Sequence, residues 1–291
     1  MAVPEDLVEE FLLRLPPADP ASLVRAALVC KPWCRLISTP RFRRRFREFH
    51  RTPPTLGFLA NTSKPGPRPY VARFVSTSYF RPPAPAEHRG WLVLDARHGR
   101  VLLRSIEPGS RPRLMVWDPV TDEWRQLPEV SLFATDWNAA VFCLFAANGS
   151  CDHLDCQRGP FAIVLVATVA AKSTLRVYSS EACACSEPRP LPRCYLGNVA
   201  PTALVGGYTV LFERRILGCD LPTGETFVSF LPPDSVACDP VLMTMEDGSL
   251  GVALGQGTRL SLWSMDMETS PDDPVRLDEI WLKLAEKHCS G

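Results

Sequence analysis

The chain has 291 residues, of which 46 % are apolar and 22 % charged, and its formal net charge is zero. This is ordinary globular usage, and it excludes collagen, coiled coil and wholesale disorder. Residues 220–291 hold four Lys and Arg against thirteen Asp and Glu, which argues against nucleic-acid binding there, because phosphate contacts need clustered cations.

The chain contains no segment that predicts export or a membrane span. Its first residues lack a basic start and a long apolar core, so no signal peptide is expected. The longest apolar run covers residues 161–171 and is too short for a bilayer, which needs about 20 residues. Eleven cysteines, an odd number with irregular spacing, predict reduced thiols rather than a disulfide framework. We therefore expect a cytoplasmic or nuclear protein.

Residues 1–50 predict four short helices that are bounded by proline. Pro4, Asp19-Pro20 and Thr39-Pro40 mark helix starts, because proline at the first helical position loses no hydrogen bond. Apolar residues follow at one-face helical spacing. Fifty residues in short helices bury too little surface to be stable alone, so this segment is predicted to be a docking module.

The order of residues in this segment resembles the F-box motif along its full length. The departures are Val3, where the family usually has Leu, and Pro32, which falls inside the third helix and is expected to shift that helix's start. The matching positions are Pro4-x-Asp6-Leu7-Val8, Leu12-Leu13-x-Leu15-Pro16, Leu23-Val24-Arg25, Val29-Cys30-Lys31-x-Trp33-x-x-Leu36-Ile37 and Pro40-x-Phe42.

The resemblance implies that these helices bind a Skp-type adaptor, which links them to a cullin scaffold and a ubiquitin-conjugating enzyme. For any single leucine the alternative is packing between the helices, and Pro4, Pro16 and Trp33 are the stronger candidates. The candidate contacts that the motif implies are Pro4, Leu7, Val8, Leu15, Pro16, Leu23, Val29, Lys31 and Trp33.

An arginine run overlaps the fourth helix. It allows either a nuclear signal or nucleic-acid patch, or a helix with an inner phenylalanine stripe and a solvated basic face. The second interpretation is favoured. The run consists of Arg41, Arg43, Arg44, Arg45, Arg47 and Arg51.

Beyond residue 50 the pattern changes to strands and turns. Residues 51–89 are interpreted as a linker with first irregular strands, at 56–59 and 70–75, and residues 90–291 as one β domain. Matching strand ends recur at Trp117, Tyr178, Cys219 and Trp263, with spacings of 61, 41 and 44 residues. A propeller blade typically spans about 40–50 residues, and an insertion near residues 151–159 would account for the long first spacing.

The β region is similar to the F-box-associated domains of plant F-box proteins. The resemblance lies in Leu94-Asp95-x-Arg97-x-Gly99-Arg100-Val101-Leu102 and Val116-Trp117-Asp118-Pro119-x-Thr121-x-x-Trp124-x-x-Leu127-Pro128. The expected fold class is therefore α+β and multidomain: a short helical F-box followed by an all-β, propeller-like domain, five-bladed or incomplete. Residues 278–288 predict a terminal helix, acidic first and basic last, and a truncated gene product is a further hypothesis.

Two clusters of cysteine residues contain side chains that can bind a metal. They are Cys151-x-His153-x-x-Cys156 and Cys183-x-Cys185, and neither has the paired spacing of structural zinc. Reduced loop thiols are expected at both, with no metal and no cofactor.

No catalytic group of residues is predicted either. The chain has no phosphate loop, dinucleotide fingerprint or nucleophile elbow. The carboxylates of Asp152 and Asp155 beside His153 are interpreted as solvated charge. The five histidines are scattered along the chain, at His50, His88, His98, His153 and His288.

The predicted function is that of a non-catalytic substrate-recognition adaptor of a Skp–cullin–F-box ubiquitin ligase. The F-box would dock the Skp-type adaptor, and the β domain would hold an unknown protein target. One alternative is a propeller enzyme or sugar-binding protein with a packed N-terminal helical cap, which predicts perturbed carboxylates in a central pocket. Another is a degenerate F-box protein without a target.

Overall fold

A computed structural model shows two compact units, one formed by residues 1–127 with 151–159 and the other by residues 128–150 with 160–291. The two are described separately. The residues that the structure describes are 4–17, 19–51, 55–66, 69–78, 80–83, 87–106, 113–128, 136–145, 151, 153, 156–169, 172–191, 202–204, 208–212, 215–219, 226–231, 239–245, 249–256, 259–265 and 275–281.

The first unit begins with the four predicted helices. They are α1 (Glu5–Leu13), α2 (Pro20–Val29), α3 (Lys31–Ser38) and α4 (Pro40–His50). Pro20 and Pro40 open their helices, and Pro32 is the second residue of α3. In this first turn the missing N–H of proline leaves no helical hydrogen bond unmade, so Pro32 is compatible with the helix.

A small apolar core joins these helices. Its buried members are Val8, Leu12, Leu13, Ala26 and Phe42. Two polar contacts add to it: the Arg45 guanidinium lies 2.6 Å from the Glu9 carboxylate, and His50 Nε2 lies 2.8 Å from the Leu13 carbonyl oxygen. Both contacts join α1 to α4 and hold the ends of the module together.

Two antiparallel sheets complete the first unit. One contains β1 (Gly57–Ser63), β2 (Tyr70–Ser76) and β3 (Glu87–Arg89), and the other contains β4 (Trp91–Arg97), β5 (Arg100–Ser105), β6 (Leu114–Asp118) and β7 (Glu123–Gln126). Ala72 packs with Val101, Leu103 and Trp117 in a buried cluster between them. The segment predicted as linker thus contributes a sheet, while the domain boundaries at residues 50 and 89 stay predictions.

The turns of the second sheet explain the motif around Trp117. His98 and Gly99, both at positive φ, form the two-residue turn between β4 and β5, which matches the twist of a hairpin. After β6, Asp122 also has positive φ, and its Oδ1 accepts hydrogen bonds from Nε1 of both Trp117 and Trp124 at 3.0 Å. One carboxylate therefore satisfies two indoles and stabilises the turn.

The second unit contains three further antiparallel sheets in its described part. Trp117, Tyr178, Cys219 and Trp263 each lie in the third strand of their sheet, so the predicted repeat and the propeller-like fold class are confirmed, whereas blade number and closure stay predictions. The strands are β8 (Asp136–Cys143), β9 (Phe161–Val169), β10 (Lys172–Ser179), β11 (Ala184–Cys185) and β12 (Arg189–Leu191); β13 (Thr202–Leu204), β14 (Tyr208–Phe212), β15 (Arg215–Cys219) and β16 (Thr226–Phe230); β17 (Asp239–Thr244), β18 (Leu250–Gln256), β19 (Arg259–Met265) and β20 (Val275–Trp281).

The predicted terminal helix is wrong where the structure describes it. Residues 278–281 belong to β20, which pairs with β19 from Arg259↔Trp281 to Ser264↔Val275. Backbone groups that would otherwise be unpaired on β19 gain partners in this way, and such non-local pairing overrides local helix preference. Residues 282–288 lie outside the described residues.

The helices of the described segments are all short. The longest is α4, with 11 residues, and none has the length and apolar character that a bilayer crossing would require.

Candidate functional site

The nine candidate contacts of the N-terminal module differ in exposure. Val8 is buried in the helical core, and Leu15, Leu23 and Trp33 pack against that core while partly exposed. The other candidates point to solvent: Leu7 is 60 % and Val29 66 % exposed, and Pro4, Pro16 and Lys31 are also exposed.

The structure adds three apolar side chains that the sequence did not select. Phe11 on α1 and Val24 on α2 are more than half exposed, and Leu28 on α2 is 79 % exposed. Helical spacing contained the signal, since Phe11 follows Leu7 and Leu28 follows Val24 at i+4, which puts each pair on one helix face. We name Leu7, Phe11, Val24, Leu28 and Val29 the exposed apolar set. Exposed apolar side chains at helical spacing on α1 and α2 are candidates for an interaction surface.

Part of the arginine run is engaged within the module. Arg44 Nε donates to Glu48 Oε1 at 2.9 Å, and Arg45 pairs with Glu9 and Glu10. Phe42 is the buried residue of α4. These pairs favour the solvated basic helix face over a patch of cations held ready for phosphates, while a nuclear signal stays a hypothesis.

One of the two cysteine clusters comes together in space. Ligand atoms of Cys151, His153 and Cys156 lie within 4.8 Å of one another, and His98 stacks on His153. Burial, with smaller contributions from His153 and the neighbouring arginines, lowers the pKa of His98 to about 4. Two of the five histidines are thus adjacent rather than scattered. Asp152 and Asp155 lie outside the described residues, as does His288.

Cys183 and Cys185, the second cluster, lie at a different place in the chain. Both are exposed, and the Cys183 thiol donates to the Ser180 carbonyl oxygen at 3.5 Å. Partial burial raises the pKa of the Cys185 thiol. Cys185 lies in the short strand β11, and its raised pKa keeps this thiol protonated at neutral pH.

Two carboxyl groups of the described residues have clearly shifted pKa values, and both shifts are downward. The Ser22 hydroxyl, 2.6 Å from Asp19, lowers the pKa of Asp19. The Lys64 ammonium, 2.6 Å from the Glu87 carboxylate, lowers the pKa of Glu87. A carboxyl group that serves as a general acid at neutral pH requires the opposite shift.

Comparison with known proteins identifies the N-terminal module. Residues 2–45 match the F-box domain family, which covers the whole of the helical core, from α1 into α4. A comparison with curated proteins found no match to the chain.

Solved structures that resemble the chain share little sequence with it. A prolyl endopeptidase studied for inter-domain dynamics has 12 % identity and a TM-score of 0.37 over 64 % of this chain and 29 % of its own. The Dos1 propeller has 8 % identity and a TM-score of 0.39 over 75 % and 54 %. TolB from Acinetobacter baumannii has 11 % identity and a TM-score of 0.34 over 77 % and 64 %. The chain thus spans less than two thirds of the length of each.

Proposed function

We propose that this chain is a substrate-recognition adaptor of a Skp–cullin–F-box ubiquitin ligase. The observation that supports the proposal best is the F-box match at residues 2–45, in a module that leaves the exposed apolar set without cover. A Skp-type adaptor is the partner that an F-box implies, and through it the chain would join a cullin scaffold.

The exposed apolar set is where we place the adaptor. Burying a leucine or phenylalanine side chain contributes about 1.5–3 kcal/mol, so covering several of them supplies the free energy of a specific complex. Of the sequence candidates, Leu7 and Val29 keep a contact role in this scheme, and Pro4, Pro16 and Lys31 are further exposed candidates. Val8, Leu15, Leu23 and Trp33 contribute by packing, which fixes the angles at which α1 and α2 present the others.

The chain itself performs no chemistry in this proposal. Docking to the ligase raises the effective concentration of a target lysine near the ubiquitin-conjugating enzyme, as tethering does in general. The β sheets would hold the protein target, because loops on a rigid scaffold diverge freely and carry specificity. We place the protein in the cytoplasm or nucleus and its β region among the plant F-box-associated domains, on the motif around Trp117.

The exposed apolar set also separates this function from the enzyme alternative. A helical cap packed on a propeller would bury the apolar stripe of α1, whereas Leu7 and Phe11 are more than half exposed. The degenerate F-box protein remains the second candidate, since it needs only the adaptor contact.

The decisive experiment is a titration of the purified full chain with a Skp-type adaptor, followed by addition of a cullin. Adaptor binding at sub-micromolar Kd and co-elution of all three proteins support the ligase role. No binding by a chain whose helices are folded, as judged by circular dichroism, would refute it. Proteins that accumulate on the complex only when the β region is present distinguish a working adaptor from a degenerate one.

A further inference from the structure

The loop between β8 and β9 contributes a compact group of soft and borderline ligands to the first unit. Cys151, His153 and Cys156 each offer one ligand atom, and these atoms lie within 4.8 Å of one another. Cys156 Sγ lies 3.5 Å from His153 Nδ1. At Zn–S of about 2.3 Å and Zn–N of about 2.0–2.1 Å, tetrahedral sulfur and nitrogen ligands lie about 3.5 Å apart. The pair therefore already has the spacing of two ligands on one zinc ion.

The backbone beneath these ligands is held rigidly. Arg100, only 5 % exposed, donates from Nη2 to the carbonyl oxygens of Cys156 at 2.7 Å and Gly159 at 2.6 Å. The Gly159 N–H donates to the same Cys156 oxygen at 2.9 Å, which closes the 3-10 turn Cys156–Arg158. Residues that orient a ligand in this way raise metal affinity, because less order has to be imposed on binding.

The imidazole is also held in place. The rings of His98 and His153 stack with centroids 4.1 Å apart and planes 10° from parallel. His98 belongs to the tight turn between β4 and β5, and a Cβ on its neighbour Gly99 would lie 3.1 Å from Cβ of Gln157. The turn therefore approaches the loop closely, and the His98 ring lies flat against the His153 ring.

We propose that Cys151, His153 and Cys156 form a zinc-binding site that holds the β8–β9 loop. Two thiolates and one imidazole are ligands that Zn²⁺ prefers, and the fourth tetrahedral position is left for water or another side chain. Binding converts both thiols to thiolates and releases two protons, so zinc affinity falls as the pH is lowered. This site is independent of the adaptor role of the helices.

The test uses the full chain, kept reduced with a phosphine and stripped of metal, and titrates it with Zn²⁺ or with Co²⁺ as a spectroscopic substitute. The ligand variants are Cys151→Ser and His153→Asn. Asparagine suits position 153 because the φ of His153 is 57°, a conformation that asparagine tolerates. Both positions are at least partly solvent-accessible, so the variants should fold. Cys183→Ser and Cys185→Ser in the second cluster are the matched controls.

We expect about one Zn²⁺ per wild-type chain, a thiolate-to-cobalt charge-transfer band, and a rise in the melting temperature on adding zinc. Each ligand variant should lose the band and weaken zinc binding by more than about 100-fold, while both controls retain wild-type behaviour. A wild-type chain that binds no zinc when folded and reduced would overturn the proposal. So would ligand variants that keep full zinc content, or controls that lose it.

Discussion

Replacing Leu7 and Leu28 together with alanine should weaken binding of the full chain to a Skp-type adaptor by about 200-fold. Each substitution removes three carbons, worth about 0.8 kcal/mol apiece when they are buried. Leu28 is 79 % and Leu7 60 % exposed, so full coverage by a partner would stabilise the complex by about 1.9 and about 1.4 kcal/mol respectively. Together that is about 3.3 kcal/mol, and each 1.4 kcal/mol is tenfold in Kd.

Isothermal titration calorimetry of the full chain measures this change directly. The matched control is Val120→Ala, because Val120 is 53 % exposed but belongs to the turn between β6 and β7 and not to a helix. The control should bind like the wild type, and both variants should melt at the wild-type temperature, since exposed side chains contribute little to the core. A double variant that binds within about threefold of the wild type would refute the placement of the adaptor on this surface.

Three further predictions concern stability and are measured by thermal or denaturant unfolding of the full chain. Leu12→Ala, at a fully buried position, should destabilise the helical module by about 2–5 kcal/mol, and an unchanged module would contradict the core as described. Asp122→Ala should lower the free energy of unfolding by about 1–3 kcal/mol, because the indoles of Trp117 and Trp124 lose their shared acceptor. Asp122→Asn keeps a side-chain oxygen and tolerates the positive φ, so it should lower the stability clearly less. Equal losses of stability in the two variants would argue against the hydrogen bonds. His88 packs edge-on against both indoles, and burial lowers its pKa from 6.5, opposed in part by Asp122. The contribution of His88 to the free energy of unfolding should therefore be complete above about pH 6.5 and be lost as the pH falls below that value, because the unfolded chain then binds the extra proton. The His88→Gln variant should show a weaker pH dependence of stability below about pH 6.5. An identical pH dependence in the variant and the wild type would exclude His88 as its source.

Local pattern was sufficient to predict the N-terminal module and the turns. Proline at helix starts and apolar residues at helical spacing specify α1 to α4, because both act within one or two turns of the chain. Thr39 illustrates this: its hydroxyl accepts a hydrogen bond from the Phe42 N–H, three residues along, as an N-cap does. The recurrence of strand ends at Trp117, Tyr178, Cys219 and Trp263 was also predicted, because apolar runs and turn residues alternate along the chain.

Only the tertiary structure shows which apolar side chains of the helices are exposed. Leu12 and Leu28 are both leucines of short helices, yet one is fully buried and the other is largely exposed. The difference arises from how α1, α2 and α4 cross, which depends on contacts such as Arg45 with Glu9 across 36 positions of sequence. Spacing alone therefore predicted which helix faces are apolar, but not which of them stay uncovered.

Two further features depend on contacts between distant parts of the chain. Residues 278–281 have helical character on their own, but pairing with β19 supplies backbone partners that no local pattern reveals. Cys151-x-His153-x-x-Cys156 lacks the spacing of known zinc motifs, and it gains the geometry of a site because Arg100 and His98, more than fifty residues earlier, hold the loop. Short-range periodicity thus determined the elements, whereas strand pairing and loop packing, which join residues far apart in sequence, determined the fold's last strand and the candidate metal site.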